Sequence, residues 1–219
     1  MRLSTSETET MLTSPGIVCF KALAATANSN AIFKGVGRHP KTGKKKGGIK
    51  VHSVIHANEG VPCDVKFTSS ATNDSFMLAP NHYQHDEILA MDRAYINYEK
   101  FEELTEKNVV YVTKMKKKLT YEVLVDCMDM NAEGKMEYRE QVVVFRRGEI
   151  NHIARIITYV DIKKGKKPKL ISLLTNDFDM PQETIVDIYR RRWQIESLFK
   201  LPHVLSQPAD ILEPARCRP

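Results

Sequence analysis

Uninterrupted apolar runs of the length that spans a bilayer are absent from this chain of 219 residues, which argues against a helical membrane anchor and for a soluble protein without a membrane partner. The opening stretch MRLSTSETETMLTSPG has hydroxyls and acids where an export signal has positive charge followed by an apolar block, so the expected location is cytoplasmic. Cysteine is scarce. Cys19, Cys63, Cys127 and Cys217 lie far apart with no CxxC pair, which fits free thiols better than a zinc site or a disulfide framework. No phosphate-binding loop is present either: GRHPKTGKK has the wrong spacing between Gly37 and Gly43 and no hydroxyl after its lysines, so it reads as a basic hairpin. His52 and His56 lack the glutamate of a metalloprotease helix and sit in a strand pattern, so they read as exposed sheet histidines.

What is present is an ordinary folded composition, 42% hydrophobic and 8% aromatic, enough for one core or one domain carrying an insertion. Lys+Arg exceed Asp+Glu by 33 to 27, and the excess is clustered, at 41–48, 114–118 and 163–169 and in the arginines 190–192. Such clusters suit a polyanion, with solvated turns as the plainer explanation of any single one. Lys44, Lys45, Lys46, Lys116, Lys117, Arg190 and Arg191 are the candidate DNA contacts.

Periodicity divides the chain. Residues 1–30 lack a clear period and read as a poorly ordered or divergent arm. Residues 31–118 begin as a strand meander through IKVHSVIHA and VPCDVKFTS. They continue as the buried strand EILAMD, the amphipathic helix YEKFEELTEK and the strand VVYVTKM. Residues 119–168 return to strand-like runs and read as a β-rich insertion. Residues 169–201 give the buried strand KLISLLTND and a last helix opened by Pro181 and Glu183. Residues 202–219 form an irregular tail with four prolines and no lysine.

The last helix contains DIYRRRWQIESLFK, residues 187–200. At about 100° per residue, Ile185, Ile188, Tyr189, Arg192, Glu196 and Phe199 share one face. A carboxylate on an apolar face is costly unless paired or bound to metal. An Arg192 to Glu196 pair one turn apart would satisfy it. So would a shared cation with Asp92, which closes the run ILAM at a strand end of the kind that presents side chains to a site. Two such acids with basic surroundings point to divalent-metal chemistry on phosphodiesters.

Tyr189, Arg192 and Glu196, spaced by two and three residues, resemble the Tyr-Arg-Glu-Lys signature of insertion-sequence transposases with a DDE acid triad. MDRAY (91–95) resembles the second-Asp motif of the same family, and GGIKVHSVIHANEGVP its preceding strand pair. The resemblance runs from about residue 30 to 200. It implies an α/β fold: a ribonuclease H-like mixed sheet flanked by helices, with a β-rich insertion before the last helix. It implies Asp92 and Glu196 as catalytic acids and Mg²⁺ ligands, Tyr189 and Arg192 as accessory residues, and His203 where the signature lysine belongs. DNA is the implied partner, with a homo-oligomer or a full-length transposase beside it. The resemblance also exposes a gap. No aspartate precedes Asp64, and CFKALAATA (19–27) stands where the first acid belongs. The expectation is an incomplete, inactive transposase core, or a nucleic-acid-binding remnant that inhibits a full-length relative.

Overall fold

Turn chemistry and alternation set the elements of the protein, a computed structural model that describes residues 17–27, 34–38, 45–57, 59–162, 165 and 167–199. Residues 20–27, 34–38, 45–47 and 193–199 are described by their backbone alone. The first strands are β1 (Ile17–Ala27), β2 (Lys34–Arg38), β3 (Lys45–His56) and β4 (Val61–Ser69). Next come β5 (Ile88–Met91), helix α1 (Tyr98–Glu106) and β6 (Val110–Lys114). The Asn97 side chain caps α1 by accepting the Lys100 N–H at 3.1 Å, which satisfies one of the helix's orphan donors. A meander follows: β7 (Glu122–Met130), β8 (Met136–Arg147), β9 (Ile150–Asp161) and β10 (Lys169–Thr175). Its first two turns fall at Gly134 and Gly148, both at positive φ, where a side chain would be strained. Helix α2 (Gln182–Phe199) ends the described chain.

All ten strands join one mixed sheet in the order β2-β3-β1-β5-β6-β10-β9-β8-β7, with β4 paired to β3. The pairs β1–β5 and β5–β6 are parallel, and the others are antiparallel. This is the α/β mixed sheet with flanking helices that the sequence implies. The run ILAM is buried throughout because a central strand is covered on both faces. On one face Leu89 and Met91 pack with Phe101 and Leu104 of α1 and with Tyr111, Phe145 and Leu174. On the other, Ile88 and Ala90 pack with Val112, Leu173 and the α2 residues Ile185, Val186, Ile188 and Tyr189. Among the described residues no helix is long and apolar enough to cross a membrane.

Two expectations are corrected. Residues 17–27, expected within an irregular arm, form β1 between β3 and β5. Val18 belongs to one core cluster and Ile17 and Cys19 to the other, so the polar alternation that marks a half-exposed strand is missing. The β-rich insertion before the last helix is present as β7–β9, and it is continuous with the core sheet because β10 pairs with both β6 and β9. His52 is not exposed: it is fully buried, with Nε2 at 2.9 Å from Thr68 Oγ1 and its ring edge on Phe76.

A buried polar chain ties the insertion to the core. His152 of β9 lies 2.6 Å through Nε2 from the Tyr111 hydroxyl of β6, and 2.6 Å through Nδ1 from the Glu102 carboxylate of α1. An ionised Glu102 can only accept, so Nδ1 donates to it and Nε2 accepts the Tyr111 proton. Burial lowers the His152 pKa below 6.5, opposed by Glu102, and burial also lowers that of His52. A folded-state pKa below the unfolded one means that the unfolded chain binds the proton more readily. Stability is therefore full above pH 6.5 and is lost as pH falls from there toward the depressed values. We expect the melting temperature to fall between pH 7.5 and 5.5, and His152→Leu to lose part of that slope. The same variant should cost about 1–3 kcal/mol at neutral pH, because it leaves the Tyr111 hydroxyl buried without its partner. Melting curves at the two pH values would check both, and an unchanged slope in the variant would contradict the assignment.

Candidate active site

Helix α2 lies across β1, β5 and β6 with Ile185, Ile188, Tyr189 and Arg192 buried and Asp187, Arg190 and Arg191 exposed, as the helical period of the sequence requires. Tyr189 supplies an aromatic platform: the Arg192 guanidinium sits 5.1 Å from its ring centroid, with Nη2 3.4 Å from its hydroxyl. From there Arg192 Nη1 reaches to 4.0 Å from Asp92 Oδ2. Asp92 follows β5 and caps the short 3-10 turn Arg93–Tyr95 by accepting the Arg93 N–H at 2.7 Å. Its side chain is 48% exposed, whereas that of Arg192 is 4% exposed. The fold thus brings Asp92, Tyr189 and Arg192 together.

The other sequence candidates are distributed differently. Glu196 lies on α2 one turn beyond Arg192, but its side chain is outside the described residues, as are Lys44 and His203 entirely. Lys45 and Lys46 begin β3, and their side chains too are outside the described residues. Lys116 is half-buried and Lys117 exposed in the segment after β6. Arg190 pairs with Asp187 at 3.3 Å and its guanidinium lies 5.8 Å from the Tyr159 ring centroid.

Cations dominate the electrostatics around Asp92. Burial pushes the Cys19 thiol up to about 12, and the Arg192 and Arg191 guanidiniums oppose that rise, which places their positive charge over β1. Burial lowers the Lys114 pKa, and Lys169 and Arg93 lower it further, against the pull of Asp92 and Asp161. The strand register places the start of β1 beside β5. Parallel pairing sets Ile17 beside Ile88, Val18 beside Leu89 and Cys19 beside Ala90. The pairing ends there: β1 runs on past it, β5 stops at Met91, one residue before Asp92, and the side chain of Lys21 is outside the described residues.

A family model for the transposase DDE domain matches residues 21–201 of this sequence. The chain belongs to that family. It is 23% identical to a protein described as a transposase for insertion sequence element IS5377 of Geobacillus stearothermophilus, over 71% of this chain and 41% of that protein. It is 27% identical to a protein described as a transposase for insertion sequence element IS4SA of a Synechocystis species, over 69% and 42% respectively. The chain therefore spans less than half the length of the curated relatives it matches.

DDE transposases act on DNA with a divalent metal ion. The described donors around Asp92 do not fit such an ion, and the Glu196 side chain is outside the described residues. Among the described residues no three His, Cys, Asp or Glu side chains come together as ligands, and Asp92 faces a guanidinium. Sequence reasoning flagged the lysine clusters but passed over Arg93, Lys114 and Lys169 individually. Arg93 gave its signal within MDRAY, one residue after the acid.

Proposed function

We propose that this chain is a DNA-binding transposase core that does not cut or join phosphodiesters. The observation that carries the reading is the buried Arg192 guanidinium, 4.0 Å from Asp92 Oδ2. A two-metal site needs acids around its cations, and Arg192 beside Asp92 instead puts positive charge where those ions would have to gather, in a sequence with no aspartate before Asp64. Asp92 and Glu196 would remain as relics of a ligand pair, Tyr189 and Arg192 as the scaffold that positions α2. Lys116, Lys117, Arg190 and Arg191 would bind the DNA backbone as point charges and guanidinium forks. Such a protein would compete for terminal repeats with a full-length transposase in the cytoplasm, or enter its oligomers as an inactive member.

A duplex carrying insertion-sequence terminal repeats, incubated with the protein and Mg²⁺ or Mn²⁺, should be retained in a binding assay and remain unnicked. Metal-dependent nicking that Asp92→Ala abolishes would overturn the reading, since a pure binder loses nothing with that carboxylate.

A further inference from the structure

A cleft of about 310 Å³ opens at the carboxyl ends of the parallel strands β5 and β6, beside the turn that Asp92 caps. Six of its lining residues are cations: Arg93, Lys114, Lys116, Lys117, Lys118 and Lys169. Among the described residues that line it there is no carboxylate. Tyr121, 36% exposed, and the hydroxyls of Thr158 and Ser172, which bond each other at 2.8 Å, complete the wall.

The lysine segment is held in place rather than merely solvated. The Met115 N–H donates to the Ser172 carbonyl at 2.9 Å, and Met115 and Leu119 both pack on the core cluster beneath α1. Between those two anchors Lys116, Lys117 and Lys118 are carried in one tight bend, with Lys118 at φ +63°, a left-handed conformation that costs a lysine strain. Asp161 of β9 stands opposite Lys169, and Asp92 and Asp161 act on Lys114, but six cations outnumber these two acids, and the excess positive charge suits a polyanion. The size exceeds what one phosphate group fills and suits a stretch of nucleic-acid backbone.

We propose that this cleft seats phosphates of the bound DNA strand, next to the Asp92 end of the sheet. The proposal rests on the DNA-binding reading above and assigns to it a place and four cations, Arg93, Lys114, Lys118 and Lys169, beyond the lysines marked by sequence. Lysine is suited to this work because its ammonium meets a phosphate as a point charge and leaves sequence unread.

The test is the salt dependence of binding to a short labelled duplex, followed by fluorescence anisotropy over graded KCl. The variant Lys114→Gln/Lys169→Gln should lower the slope of log affinity against log salt by up to roughly 0.9 for each lost phosphate contact, hence up to about 2 in all. The control Lys66→Gln/Lys135→Gln removes the same charge from lysines paired with Asp64 and Glu133, and should keep the parent slope. Melting curves guard against misfolding, and the cleft variant should melt no lower than the parent, because it relieves cation repulsion. Equal loss of slope in both variants would reduce the effect to net charge and overturn the proposal. Unchanged slopes with DNA still bound would overturn it too while leaving the DNA-binding function intact. Displacement of the duplex by millimolar inorganic phosphate at constant ionic strength would mark a free-phosphate site instead. An intact chain that binds no duplex at low salt would bring down the function itself.

Discussion

Lys21→Asp is expected to give the protein a divalent-ion site that the described residues do not form. The parallel ladder ends at Cys19 and Ala90, two residues before position 21 and Asp92, so the substitution should bring a second carboxylate to the Asp92 end of the sheet. Without metal the pair repels, and the variant should melt below the parent. With Mn²⁺ at about a hundredfold excess over its dissociation constant, mass action returns about 2.7 kcal/mol to the folded state. For a chain of this size that raises the melting temperature by roughly 5–10 °C. The parent, with a lysine at the same place, should show no such rise. Glu196→Gln in the Lys21→Asp background tests the third donor: it should weaken the Mn²⁺ response if α2 brings that carboxylate to the same ion. A folded Lys21→Asp protein indifferent to Mn²⁺ would mean that position 21 is not the gap in the acid set.

What the sequence disclosed, it disclosed through local chemistry. Asp92 was readable because a fully apolar run stops abruptly at an acid, and the buried face of α2 because Ile185, Ile188, Tyr189 and Arg192 recur at the helical period. Residues 17–27 escaped because a central parallel strand is apolar on both faces and mimics a featureless stretch. His52 escaped because its burial depends on Phe76 and Thr68, one on either side of a turn, closing over it. The cationic cleft was half legible. The run KMKKK announces charge, but the union with Arg93 and Lys169 needs β5, β6 and β10 to lie side by side, which is a property of the sheet order.

The largest loss of stability from a single polar side chain is expected at Arg155, which fastens the start of α2 to the β meander. Arg155 is 4% exposed on β9, with Nη1 donating to the Met180 carbonyl at 2.6 Å and Nη2 to the Glu140 carboxylate at 2.7 Å. Gln182, the first residue of α2, donates to the same carboxylate at 3.0 Å. The loop before the helix is set by Asp177, whose Oδ1 accepts the Asp179 and Met180 N–H groups at 3.0 and 2.7 Å. Arg155→Ala removes the cation and leaves Glu140 and the Met180 carbonyl facing a gap. Breaking a buried pair in this way costs about 3–5 kcal/mol, and since the Glu140 side chain keeps 25% exposure the lower end applies. A loss of about 3 kcal/mol is a large share of the stability of an ordinary domain and lowers the melting temperature by roughly 6–12 °C. Arg155→Lys should recover little, because one ammonium cannot span both acceptors as the guanidinium fork does. Arg155→Met with Glu140→Leu should recover much of it, since the charge and its partner leave together. The site would register the loss as well: α2 carries Arg192 to Asp92, so freeing its first turn lets that pairing drift while the lysine cleft on β6 and β10 stays intact. Duplex affinity measured below the melting point should therefore change much less than stability. A cost under about 1 kcal/mol, the level of an exposed ion pair, would show instead that water reaches Glu140 and that the helix start is held by apolar packing alone.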